Sequence, residues 1–143
     1  MTAPRSRKEH KAYKKHCKQA DPKTCTFCRM DKGHNEFVEG MSHFKIIKNR
    51  FPYSIWDGQS VSDHLMIVPR RHSDNLGNMT TDEKVEFVDI IEKYEKRGYN
   101  FYARTSASVQ KSIFHQHTHL IKPTGPAKHF VLLIKKPFIR ITH

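Results

Sequence analysis

The segment His115-Gln116-His117-Thr118-His119-Leu120-Ile121 places three histidines at alternate positions within an otherwise apolar run. Side chains alternate along an extended strand, so positions 115, 117 and 119 share one face of a sheet. Three imidazoles on one face make a poor core, because each buried ring nitrogen needs a partner. The chain is therefore expected to build a sheet that turns this row toward a working site. Two chemistries fit the row. Histidines at alternate strand positions suit zinc or iron, and a neutral imidazole flanked by hydrogen-bond donors suits nucleophilic attack on phosphorus.

The rest of the sequence supplies the sheet. Phe44 to Lys48 (FKIIK) reads as a strand ended near Pro52, which cannot donate to a ladder. His64 to Val68 (HLMIV), closed by Pro69, reads as a second. Tyr99 to Ala103 is a third, and Ile113 to Ile121 is the fourth, carrying the histidines. Phe130 to Ile134 and Phe138 to Ile141 are two late candidates split by Pro137. One helix stands out. Thr80 and Glu83 form a capping-box pattern, Val85, Phe87, Val88, Ile91 and Tyr94 recur at helical spacing, and Gly98 is placed to end it. Several strands around one long helix imply an α+β domain over residues 24–143.

Residues 1–23 read as a basic, polar arm, with Arg5, Arg7, Lys8, Lys11, Lys14, Lys15 and Lys18 and a short helix around Tyr13. A solvated tail and a nucleic-acid contact are the two readings of such a segment. Over the chain, 26 Lys and Arg stand against 14 Asp and Glu, a formal charge of +12. That excess attracts polyanions, whether nucleotides, nucleic acid or anionic lipid. No apolar run approaches a membrane span, and the N-terminus lacks the apolar stretch of a secretory signal, so a cytoplasmic protein without membrane partners is expected. Cys25 and Cys28 stand at zinc-ligand spacing but need a second pair, and nearby His34 offers a local ligand.

Several motifs occur in a familiar order. His115 to Ile121, preceded by Ser112-Ile113-Phe114, resembles the signature of the histidine-triad family, His-x-His-x-His followed by apolar residues. His64-Leu65-Met66-Ile67-Val68-Pro69-Arg70-Arg71-His72 is similar to that family's strand of His, three apolar residues, Pro, Lys or Arg, any residue and His. Asn49-Arg50-Phe51-Pro52-Tyr53 resembles the Asn-x-x-Pro-Tyr turn of its dinucleoside-polyphosphate branch, and Cys25-Thr26-Phe27-Cys28 resembles the Cys-x-Phe-Cys start of many bacterial members. The resemblance spans roughly residues 24–124.

It implies an antiparallel sheet with one long helix, a homodimer, and hydrolysis or transfer at the α-phosphate of a nucleoside phosphate. By position His117 would be the nucleophile, forming a nucleotidyl-histidine that water resolves, with His115 and His119 completing the triad. His119, Ser112 and His64 would donate to the phosphate oxygens, and either Asn49 or Asp57 would contact the ribose. Dinucleoside polyphosphates and nucleoside phosphoramidates are the implied substrates. His72 and His115 would join Cys25 and Cys28 around a structural zinc.

The sequence also departs from the family. Gln116 and Thr118 stand where apolar residues are usual, which predicts a solvated or differently packed back to the strand. Gln110-Lys111 replaces Gly-Gln, making Lys111 a candidate phosphate ligand, with Gln110 as the alternative through a shift of register. Trp56 either covers a base or anchors its loop. Alternative functions are a basic nucleic-acid-binding protein, a hydrolase of adenylated nucleic-acid ends, and a metalloprotein whose histidine row itself holds the metal.

Overall fold

The computed structural model describes residues 7–19, 24–109, 111–127, 130–132 and 139–141. Its elements are α1 (Arg7–Gln19), α2 (Thr26–Arg29), β1 (Phe37–Gly40), β2 (Phe44–Lys48), β3 (Ile55–Trp56), β4 (Gln59–Pro69), a 3-10 turn (Leu76–Asn78), α3 (Thr81–Glu95), β5 (Asn100–Ala103), β6 (Thr118–Thr124), β7 (Phe130–Leu132) and β8 (Ile139–Ile141). The main sheet runs β1-β2-β4-β6-β5, all antiparallel, with β3 folded back onto the start of β4. The expected α+β class with one long helix is what the chain adopts.

Strand alternation divides the apolar residues between two faces. Phe44, Ile46, Leu65, Ile67 and Leu120 pack with Ile90, Tyr94 and Tyr99 under α3. Ile47, Met66 and Val68 face the other way, against Phe27 and Met30 of the short α2 segment. Position 64 is in step with 66 and 68, so His64 lies on the α2 face. There the β4–β6 ladder pairs Met66 with His119 and His64 with Ile121.

The capping box forms as the sequence predicts. Thr80 Oγ1 accepts from the Glu83 amide, and the Glu83 carboxylate accepts from the Thr80 amide. Arg71 adds two hydrogen bonds to the same carboxylate. At the far end Gly98 takes φ +81°, where a side chain would be strained, and lets the Tyr99 amide reach back to Tyr94 O. The apolar stripe of α3 differs from expectation. Phe87, Ile90, Ile91 and Tyr94 turn inward, whereas Val85 and Val88 face solvent.

Three further departures matter. β4 begins at Gln59, five residues before the apolar run, because Asp57 (φ +48°) and Gly58 (φ +76°) form a tight hairpin between β3 and β4. β6 begins at Thr118 rather than Ile113, so His115 and His117 lie in an irregular lead-in and only His119 is on the strand. The arm holds a 13-residue helix that docks on the domain, Tyr13 and His16 meeting the Phe51 ring at 5.6 and 5.1 Å. Positions 1–6 and 20–23 of that arm, Gln110, and Ile134, Pro137 and Phe138 of the late candidates lie outside the described residues. Among the described residues no helix is long and apolar enough to cross a membrane.

Candidate active site

The three histidines of the row are buried, and each commits one ring nitrogen to the protein. His117 Nδ1 lies 2.9 Å from His115 O, an acceptor only, so Nδ1 carries the proton and Nε2 keeps its lone pair. His64 Nδ1 accepts from the Tyr53 amide at 3.0 Å, which puts the proton of His64 on Nε2. That Nε2 lies 2.9 Å from His119 Nδ1, so His119 accepts there and carries its own proton on Nε2. These tautomers are assigned from the hydrogen-bond network. They give adjacent rings complementary roles. The His117 and His119 centroids are 5.0 Å apart, the first with its lone pair on Nε2 and the second with its N–H on Nε2.

Burial holds the His117 imidazole below its ordinary value of 6.5, and the positive charges of Lys111 and Arg104 act in the same direction. The hydrogen bond to His115 O opposes this without reversing it. His117 is therefore neutral near pH 7, the form a nucleophile needs. Phe27 packs edge-on against it at 5.0 Å and fixes the plane of the ring.

A cavity of about 370 Å³ opens over these rings, lined by His117, His119, Asn49, Ser112 and Ile113 and by residues of α1. That volume suits a small organic ligand. Asn49 Oδ1 accepts from the Phe51 amide, and the residue lines the cavity wall. Asp57, the other sequence candidate for the ribose, is exposed at the hairpin tip and does not line the cavity. Lys111 is buried, and its ammonium donates to Asp74 O and Gln116 Oε1, both at 2.6 Å. Gln116 and Thr118 are buried too, so the back of the row is packed and not solvated. Trp56 stacks on Tyr53 with centroids 5.9 Å apart and contacts Tyr102, an anchor within an aromatic cluster.

His115 turns away from its neighbours. Its Nε2 donates to Pro69 O at 2.9 Å, leaving the Nδ1 lone pair aimed at two thiols. Nδ1 lies 3.3 Å from Cys25 Sγ and 3.4 Å from Cys28 Sγ, and His72 Nδ1 lies 3.3 Å from Cys28 Sγ. All four donor atoms fall within 4.8 Å of one another. Tetrahedral bonds of about 2.0 Å to nitrogen and 2.3 Å to sulfur imply N-to-S edges of about 3.5 Å, so this set fits a borderline-soft tetrahedral cation. Burial and the facing Cys25 push the Cys28 thiol up, and burial drives His115 down to about 4. His34 instead pairs with Glu36 at 2.7 Å. Among the described residues no other group of three such donors converges, so the histidine row is split between two sites.

Several site residues were not legible in the sequence. The Tyr53 amide and the Pro69 and His115 carbonyls set the tautomers, yet backbone groups leave no compositional trace. Arg104 and the α1 residues His10, Tyr13, Lys14 and His16 line the cavity from outside the motifs. The amphipathic spacing of the arm was their one available signal.

No protein-family model and no curated protein matches the sequence. Solved structures do match. A histidine-triad family hydrolase from Clostridium thermocellum is 20% identical with a TM-score of 0.55, covering 74% of this chain and 97% of that one. A zinc-bound histidine-triad family protein from Mycobacterium smegmatis is 15% identical with a TM-score of 0.55, covering 71% of this chain and 76% of that one. A hypothetical histidine-triad nucleotide-binding protein from Sulfolobus tokodaii is 27% identical with a TM-score of 0.52, covering 70% and 68%. The arrangement that carries His117 and His119 is thus the histidine-triad fold.

Proposed function

We propose that the protein is a nucleotide hydrolase or nucleotidyl transferase that acts at the α-phosphate of a nucleoside phosphate through His117. The observation that carries this reading is the pair of assigned tautomers, a lone pair on His117 Nε2 beside an N–H on His119 Nε2. The Nε2 lone pair attacks the α-phosphorus, and the bond from phosphorus to the leaving group breaks with its electron pair departing on that group. A polyphosphate leaves as its anion and needs no proton. Charge on the nonbridging oxygens is met by His119 Nε2–H and the Ser112 hydroxyl, both at the cavity wall. Water then attacks phosphorus, its proton passing to solvent, and the N–P pair returns to Nε2, releasing a nucleoside monophosphate. Another acceptor in place of water makes the reaction a transfer. Of the two ribose candidates, Asn49 lines the cavity and Asp57 does not, which supports Asn49 as the ribose contact.

The four-donor cluster is assigned to a structural zinc. Its ion would tie α2 to the end of β4 and to the lead-in of β6, two residues before the nucleophile. It would supply cross-linking rather than a reaction step, and its ligand His115 meets His117 through the backbone carbonyl.

His117→Asn should lower kcat by about three orders of magnitude or more while a nucleotide still binds, because the neighbouring donors remain. Quenching wild type under alkaline conditions with α-labelled substrate should trap an acid-labile adduct on His117. Normal turnover by the variant, with no adduct trapped, would sink the assignment.

A further inference from the structure

The sequence offers a solvated tail or a nucleic-acid contact for the basic arm. Its helix instead forms part of the cavity. His10, Tyr13, Lys14 and His16 line the same cavity as His117 and His119. The helix is anchored twice, by Tyr13 and His16 on the Phe51 ring and by the Ser54 hydroxyl donating to the Glu9 carboxylate.

The charge of the wall is one-sided. Lys14, Lys48, Arg50, Arg104 and Lys111 all line the cavity, and no carboxylate does among the described residues. Some of these cations have other partners. Arg50 pairs with Glu36, the Lys111 ammonium is held by two oxygens, and Arg104 sits over the Tyr102 ring at 5.4 Å. Lys14 and Lys48 are solvent-exposed at the cavity. A single α-phosphate brings about one negative charge, already met by His119 and Ser112. The surplus positive charge is suited to further phosphate, and the nearest source is the leaving group.

We infer that α1 is the specificity wall of the site, with Lys14 binding a phosphate carried by the leaving group. This rests on the His117 reading for its chemistry and adds a discriminating element to it. The favoured leaving group is a phosphate rather than an amine. Such a phosphate belongs either to a short polyphosphate or to the 5′ end of a polynucleotide.

Three substrates separate these cases in the full-length protein: diadenosine tetraphosphate, a 5′-adenylated 5′-phosphate oligonucleotide, and adenosine 5′-phosphoramidate. In Lys14→Ala the ratio of kcat/KM for a phosphate leaving group over the phosphoramidate should fall about tenfold, as expected for one lost charge-assisted contact, and Lys14→Arg should restore most of it. Whichever phosphate substrate shows the fall identifies the source. An unchanged ratio for both overturns the inference. A second measurement needs no turnover. On the His117→Asn background, Lys14→Ala should weaken ATP about tenfold more than AMP in a fluorescence titration. Equal losses for the two nucleotides overturn the specificity wall. Absence of turnover with all three substrates overturns the histidine reading alone, since this titration still reports on Lys14.

Discussion

His117 and His119 are chemically alike as residues and unlike in place. The difference lies in which nitrogen the backbone or a neighbour has claimed. Because burial depresses His117, its lone pair is present at neutral pH and is lost only when acid protonates it. The rate should therefore be flat through neutrality and fall toward acid with a midpoint below 6.5, read as log kcat/KM against pH. A midpoint at or above 6.5 would contradict the buried, neutral nucleophile. His119→Ala should cost about 10²–10³ in kcat, the size of a lost oxyanion donor. His64→Ala should be milder, because His119 keeps its N–H and loses only the partner that orients it.

Among the elements, α3 shows how much a local pattern can specify. Its start was readable because Thr80 and Glu83 stand at capping-box spacing, a rule that operates within one turn. Arg71, from the far end of β4, was not readable as the third member, since that contact depends on the tertiary fold. Together they hold Glu83 down at about 2, against an ordinary 4.5, with Arg71 the largest cause. A depressed carboxylate contributes stability that is full above its ordinary value and is lost as pH falls toward the native one. Glu83→Gln should thus lower the urea midpoint at pH 6, and the gap to wild type should shrink by pH 3. A gap that stayed constant would show that the charge on Glu83 is irrelevant to the cap.

The start of β6 was misread for the same physical reason in reverse. Alternation among 115, 117 and 119 suggests unbroken strand, but the backbone there serves side chains and other loops. His115 O accepts from its neighbour's imidazole, and the Gln116 amide donates to Ser73 O. Hydrophobic period reports which side a residue faces, not where its backbone hydrogen bonds go. Of the two outcomes open for Gln116 the structure takes the packed one, through a buried partner, Lys111, that lies in the loop ahead of it.

Across the molecule, the fold was legible wherever order along the sequence is preserved in motifs, and the cavity wall was not. α1 lies outside every motif, and only docking on Phe51 reveals its face. The cluster of Cys25, Cys28, His72 and His115 joins positions 90 residues apart along the chain. Holding such distant positions together removes much of the freedom of the unfolded chain, about 4–5 kcal/mol for a loop near 100 residues by analogy with a disulfide. Replacing Cys25 and Cys28 by Ser should abolish zinc binding, measured by elemental analysis. It should also lower Tm by roughly 10 °C or more, at about 3–4 °C per kcal/mol for a chain of this size. Unchanged metal content in the double variant would remove the zinc assignment.

The distance between those donors also sets a timetable. During synthesis the thiols and α1 leave the ribosome first, while His115, His117 and His119 follow some 90 positions later. Until then β4 has no β6 to pair with, and the edge of β4 opposite β2 stays open. On the proposed role of His117, the nascent chain has an interval in which it carries anion-attracting charge but lacks its nucleophile. On that role, the site is completed in one late step, when the last central strand enters the sheet.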